Sequence, residues 1–166
     1  MKKNILLLII LIPKFLFSQP IIRRIDLNQS SDYDEVLCLT MVKSLKNNDI
    51  VLGYRLLEQV TKPFGTRKTD KFIYKKHYDE LEYSRLDDGH MIKNLYSEEI
   101  TFLKVFNSHV RIKTNNNCSA FFTSIQEYDE NIFVCDFENQ DFFWINKINF
   151  ENIKYQNLLF FNKKYT

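Results

Sequence analysis

Apolar positions along the chain come first as one block and then in two rhythms. Ile5 to Ile12 is continuous, follows the basic start Met1-Lys2-Lys3 and is cut by Pro13-Lys14. Between residues 32 and 61 the rhythm is helical. Val36, Leu39, Val42 and Leu45 recur at three-residue steps with Cys38 and Met41 beside them, and Ile50, Tyr54, Leu57 and Val60 share a second face. Asp32 and Glu35 stand at capping-box spacing, Asn47-Asn48-Asp49 separates the runs, and Lys62-Pro63-Phe64-Gly65 ends the second. Two short antiparallel helices are predicted over 32–61, although Ile50-Val51-Leu52 also suits the start of a strand.

From Thr69 onward the period shortens. Lys71 to Tyr78 carries Phe72, Tyr74 and Tyr78 at alternate positions and reads as a strand. Leu81 to Leu86 and Met91 to Tyr96 flank Asp87-Asp88-Gly89-His90, whose Asp-Gly step signals a hairpin. Ile100–Phe106, His109–Thr114, Ser119–Tyr128, Ile132–Phe137 and Phe142–Asn146 follow as short strands, separated by polar turns such as Asn115-Asn116-Asn117 and Asp129-Glu130-Asn131. The expected class is α+β, mostly β: a helical pair followed by an antiparallel barrel or sandwich. Apolar groups on both faces, as at Phe142-Phe143-Trp144-Ile145, favour a closed barrel with helices outside. The chain divides into residues 1–18, an extended segment 19–31, a helical segment 32–65 and a β domain 66–166.

Within that domain, Val110-Arg111-Ile112-Lys113, Ala120-Phe121-Phe122-Thr123-Ser124-Ile125, Asn131-Ile132-Phe133-Val134 and Ile148-Asn149-Phe150-Glu151-Asn152-Ile153 follow one another. Residues 110–153 resemble the small five-stranded barrels of the Sm-like and Src-homology-like type. Ala120-Phe121 stands where those barrels usually bend at a glycine. The resemblance implies a fold and no activity.

The opening block adds an address. A basic end, a short apolar core and a small residue read as a secretory signal cleaved after Ser18. Pro13-Lys14 keeps the run below the roughly 20 residues of a membrane span, with an uncleaved anchor as the rival reading. Export predicts a periplasmic or secreted protein with no stable membrane anchor after cleavage. The formal charge of +2 would then lose Lys2, Lys3 and Lys14, leaving 20 basic against 21 acidic residues and no long-range attraction to nucleic acid. Export also exposes Cys38, Cys118 and Cys135 to oxidation, an odd number. A turn at Asp129-Glu130 would set Cys135 opposite Ser124, so pairing with Cys118 across that hairpin fails by roughly 20 Å. Whether any two cysteines pair is left open, with buried thiols as the simpler reading.

Little in the chain points to catalysis. His77, His90 and His109 form no metal-ligand spacing, there is no Cys-x-x-Cys, and Gly53, Gly65 and Gly89 never cluster into a phosphate loop. No metal or cofactor is expected. Asp87-Asp88-Gly89-His90 suits a turn better than a cation site, and His109 with Cys118 lacks a third group or an oxyanion hole. Asn28-Gln29-Ser30 and Asn117-Cys118-Ser119 match glycosylation acceptors. The stretch Arg67 to Tyr78 interleaves cations with aromatics, and a strand there would present Tyr74, Lys76 and Tyr78 on one face. The expected function is an exported binding module, acting through that face on a protein or glycan of the envelope or outside the cell, with an inhibitor or immunity protein as a subtype. An exported hydrolase and a structural envelope component are the alternatives.

Overall fold

The segment Gln19–Gln29, expected to be extended, supplies a strand at the middle of the molecule. The computed structural model describes residues 19–26, 32–94, 96, 98–115 and 120–149. Residues 1–18, expected to be a secretory signal, both glycosylation matches, Cys118 and the end of the barrel-like stretch lie outside them. Among the described residues eight strands form one antiparallel sheet: β1 (Ile21–Ile25), β2 (Thr61–Lys62), β3 (Tyr83–Leu86), β4 (Gly89–Asn94), β5 (Glu99–Val105), β6 (Val110–Thr114), β7 (Ile132–Asp136) and β8 (Asp141–Trp144). Four helices accompany it: α1 (Asp32–Lys46), α2 (Ile50–Val60), α3 (Thr66–His77) and α4 (Phe122–Tyr128).

The strand order is β3-β4-β5-β6-β1-β7-β8, and β2 pairs with β1. Along one edge β1 meets β6 at Ile21 and Ile22 and β2 at Arg24 and Ile25, while its other edge pairs with β7 throughout. The α+β class and the N-terminal helical pair match expectation. The closed barrel does not form: the sheet is open, ending at β3 and β8.

Helices on both faces explain the apolar residues that suggested closure. In β7, Ile132 and Val134 enter one core with Phe64, Ile73, Phe121 and Ile125, while Phe133 and Cys135 enter another with Met41, Leu45, Leu57 and Val60. Alternating side chains leave opposite faces of a strand, so α3 and α4 cover one face and α1 and α2 the other. A sheet sandwiched in this way has the same two-sided hydrophobicity as a barrel wall.

Two expected strands are helices. Residues 66–77 form α3, whose buried positions Thr69, Ile73 and His77 stand four apart. Within the Ser119–Tyr128 stretch, Phe122–Tyr128 form α4, with Phe121 and Ile125 on its buried side. This helix replaces the bent second strand of the small-barrel resemblance and lets β1 insert between β6 and β7. The hairpin at residues 87–88 is present, with Leu86 paired to Gly89. A Cβ at Gly89 would lie 2.4 Å from the Leu103 carbonyl oxygen, so close backbone approach excludes a side chain there.

Candidate functional site

Helix α1 carries apolar residues on more than one side. The sheet takes Cys38, Met41 and Leu45. Val36 and Leu39, expected in the buried stripe, are instead 58% and 64% exposed. On α2, Leu57 and Val60 are buried as expected, whereas Tyr54 is exposed, beside Val51 and Leu52. Exposed apolar residues are common singly; here several lie on one helical pair.

Beside α1 runs a groove of about 580 Å³. Cys38, Leu39 and Val42 form one wall, and Phe133, Phe142, Phe143, Trp144 and Ile148 the other. Trp144 packs edge-on against Phe133 with centroids 5.0 Å apart, and Phe137 against Phe142 at 5.4 Å, so the aromatic wall is braced from below. Among the described residues, Lys43, Lys46 and Lys147 line the groove against one carboxylate, Glu35, giving an apolar trough with a basic rim.

The residues expected to form a contact face, Tyr74, Lys76 and Tyr78, lie on α3 and at its end. Tyr74 and Tyr78 are one helical turn apart, exposed, with ring centroids 5.9 Å apart. Arg85 lies 6.0 Å from the Tyr74 ring. Lys76 projects elsewhere, to an ion pair with Glu127 and 5.7 Å from the Phe72 ring. The structure brings the two tyrosines together and separates the lysine from them.

Beneath α3 lies a buried polar network that the sequence did not announce. His90 is fully buried; its Nε2 donates to Asp70 Oδ1 at 3.0 Å and its Nδ1 accepts from the Tyr83 hydroxyl at 2.7 Å. Burial and the nearby Arg85 charge push the His90 pKa down to about 4, against the opposing pull of Asp70. For Asp70 itself burial pushes upward, but the Arg85 hydrogen bond and charge, aided by His90, hold the carboxyl below its ordinary value. His90 therefore faces inward, away from Asp88, which pairs with Lys104 at 2.7 Å. The hairpin acids and His90 do not converge, and among the described residues no group of three His, Cys, Asp or Glu is placed to hold a metal.

One arrangement imitates a catalytic triad. His77 Nε2 lies 2.9 Å from Ser124 Oγ, and its Nδ1 lies 2.9 Å from Glu80 Oε2. Ser124 is 4% exposed, and its hydroxyl is within 2.9 Å of the Phe121 carbonyl. A nucleophile closed off in this way has no route to substrate, so the trio fastens α4 to α3.

Cys135 is buried in the core under α1 and α2, where burial pushes its thiol up to about 12, far from a reactive thiolate. Among the described residues no helix is long and apolar enough to cross a membrane.

A family model described as "Sporulation inhibitor of replication protein SirA" matches residues 39–149, two thirds of the chain. No curated protein matches. The matched span begins at Leu39, within α1, and runs through the sheet to the aromatic wall of the groove. It overturns the expected export, the periplasmic or secreted location, and the envelope or extracellular partner, because replication proceeds on DNA inside the cell. With export withdrawn, the formal charge of the whole chain stands at +2. The chain belongs to the family of the sporulation inhibitor of replication protein SirA.

Proposed function

We propose that this protein restrains DNA replication by binding a protein of the replication machinery, through the exposed side of α1 and the groove beside it. The observation that carries this is the apolar stripe of α1 left out of the core: Val36 and Leu39 are mostly exposed, and Leu39 lines a basic-rimmed aromatic trough. The chemistry selects an amphipathic segment whose apolar stripe enters the trough and whose acidic flank meets Lys43, Lys46 and Lys147. Such a role needs no catalytic group, only occupation of a surface the replication protein uses.

Expression in a replicating host is expected to lower the origin-to-terminus DNA ratio, read by quantitative PCR. Replacing Val36 and Leu39 together by Asp restores the ratio. The exposed positions make the double variant fold with unchanged circular dichroism and urea midpoint. An unaltered ratio with the parent protein refutes inhibition of replication; full inhibition by a folded double variant refutes this surface. Removal of residues 150–166 preserves inhibition if the groove receives the partner. Loss of inhibition by the folded, shortened chain refutes the groove alone as the site.

A second reading rests on Tyr74 and Tyr78, which share an exposed face on the other side of the sheet. Alanine at Tyr74, Lys76 and Tyr78 separates the two: unchanged inhibition leaves α1 as the contact.

A further inference from the structure

The stretch that interleaves cations with aromatics, Arg67 to Tyr78, folds as α3 and its C-terminal end. Thr69, Ile73 and His77 form its buried side. With 3.6 residues per turn, Arg67, Lys68, Lys71, Tyr74, Lys75 and Tyr78 fall within about 120° of arc on the opposite side. All six are exposed.

The charge on this side is of one sign. The 12 residues of α3 hold five cations and one acid, in a chain whose formal net charge is +2, so the other residues together are net −2. Three carboxylates on or against the helix are already engaged: Asp70 by Arg85 and His90, Glu127 by Lys76, and Glu80 by His77. Arg67, Lys68, Lys71 and Lys75 have no carboxylate partner among the described residues. Arg67 with Lys71 and Lys71 with Lys75 are like-charged pairs four apart, which weaken a helix. Arg67 and Lys68 also stand in the first turn, which holds no acid and where the helix dipole disfavours cations. The row opposes the helix that carries it, and a polyanion laid along it relieves both costs.

We propose that α3 lies along the phosphate backbone of duplex DNA, with Arg67, Lys68, Lys71 and Lys75 as the contacts and Tyr74 beside them. From Arg67 to Lys75 the row is about 12 Å long at 1.5 Å per residue. That length of duplex presents about seven phosphate charges, enough to meet all four cations. Asp79, Glu80 and Glu82 reverse the charge beyond Tyr78 and end the footprint. The sheet behind α3 keeps the helix from sinking into the major groove, so contact is with the backbone and carries no sequence preference.

Other anionic surfaces fit less well. A helix that lies in a lipid interface needs large apolar side chains on its outer side, whereas Phe72 and Ile73 of α3 pack into the fold. Lysine is depleted in protein interfaces, and here it supplies three of the four contacts. Among polyanions the choice of DNA rests on the family's description as an inhibitor of replication. The row lies across the sheet from the α1 groove, and the protein contact proposed there does not depend on it.

Fluorescence anisotropy of a labelled duplex of about 20 base pairs, titrated with the full chain, tests the row. Saturable binding is expected, equal for two unrelated sequences and falling about a hundredfold between roughly 50 and 200 mM salt as four phosphates lose their counterions. Arg67→Gln with Lys71→Gln is expected to weaken binding at the lower salt by at least about tenfold and to reduce the slope of log affinity against log salt by about two. Glutamine suits exposed helix positions as lysine does, so the urea midpoint is no lower than the parent's. Lys68→Gln with Lys75→Gln repeats the effect from the other end of the row. Lys93→Gln with Arg111→Gln removes the same charge from exposed positions on the other face of the sheet, since Ile92, Val110 and Ile112 beside them enter the core under α3. That variant is expected to keep the parent's affinity within about twofold. Absence of saturable binding at low salt overturns the proposal, while the origin-to-terminus ratio still reads the α1 surface separately. Equal losses in the α3 and sheet variants, or tighter binding to phosphatidylserine vesicles or polyglutamate than to the duplex, overturn it as well.

Discussion

Acid should weaken this protein through one histidine. His90 is fully buried and uncharged, donating to Asp70 and accepting from Tyr83, and its pKa falls from 6.5 to about 4. Unfolding returns it to water, where it takes a proton below its ordinary value. Well above pH 6.5 neither state is protonated and stability is at its full value. Below that the unfolded state gains a proton that the folded state refuses until about pH 4. A tenfold difference in proton affinity is worth about 1.4 kcal/mol, so the group removes roughly 3 kcal/mol between pH 6.5 and 4. That is a large share of the ~5–15 kcal/mol of an ordinary domain. Urea unfolding at pH 7.5 and 4.5 measures it, with His90→Gln as the comparison, since glutamine donates and accepts without titrating. The parent is expected to lose about 2–3 kcal/mol more than the variant over that interval. His109, also lowered, acts in the same direction in both proteins and cancels. Asp70 and Asp129, held below the ordinary carboxylate value, lose their contribution only at lower pH. Parallel losses in parent and variant would refute the claim that His90 is buried neutral.

Three further outcomes follow from packing. Gly53→Ala places a Cβ 2.6 Å from the Leu45 side chain and 3.1 Å from its backbone nitrogen, where α1 crosses α2. Overpacking of about 1–3 kcal/mol outweighs the ~1 kcal/mol gained in helix propensity, so the urea midpoint falls. Asp129 accepts from Arg24 Nε at 3.0 Å, Arg24 Nη2 at 2.8 Å and the Asn131 backbone N–H at 2.9 Å, tying the end of α4 to β1. Asp129→Asn is expected to cost about 2 kcal/mol in the same assay. Cys135, with its thiol pushed up to about 12, should escape brief iodoacetamide treatment at pH 8 and react in denaturant, as peptide mass spectrometry would show.

The helical pair was legible because helix-period apolar residues are bounded by real breakers. Asn48 takes a left-handed φ of 64°, and Asp49 caps α2 by accepting from the Leu52 N–H at 3.3 Å. Helix α3 was not legible, because its buried stripe is Thr69, Ile73 and His77, only one of which is apolar, while Phe72, Tyr74 and Tyr78 mimic a strand's alternation. A four-residue spacing of Thr69, Ile73 and His77 was the available signal, and it is weak without knowing that Thr69 donates to the Phe64 carbonyl. On α1 the periodicity fits both Val36-Leu39-Val42 and Cys38-Met41-Leu45, so pattern alone cannot say which side meets the sheet. The exposed stripe followed only from the packing. Arg23 carries no local mark at all, since its partner Glu58 comes to it from a helix far away in sequence.

The position of β1 gives the two faces of the sheet a common member. Ile22 enters the core under α3 and α4, while Ile25 enters the core under α1 and α2. Arg23 binds Glu58 of α2 on the second of these faces, and on the first Arg24 reaches Asp129 at the end of α4. Yet β1 precedes the family match, which begins at residue 39. The matched segment alone would leave β6 and β7 without the strand that joins them, one core without Ile22 and the other without Ile25. Its recognisable pattern is therefore smaller than its folding unit. The α1 surface depends on the same strand, because α1 sets its exposed side by burying Met41 and Leu45 in the core that Ile25 helps to build.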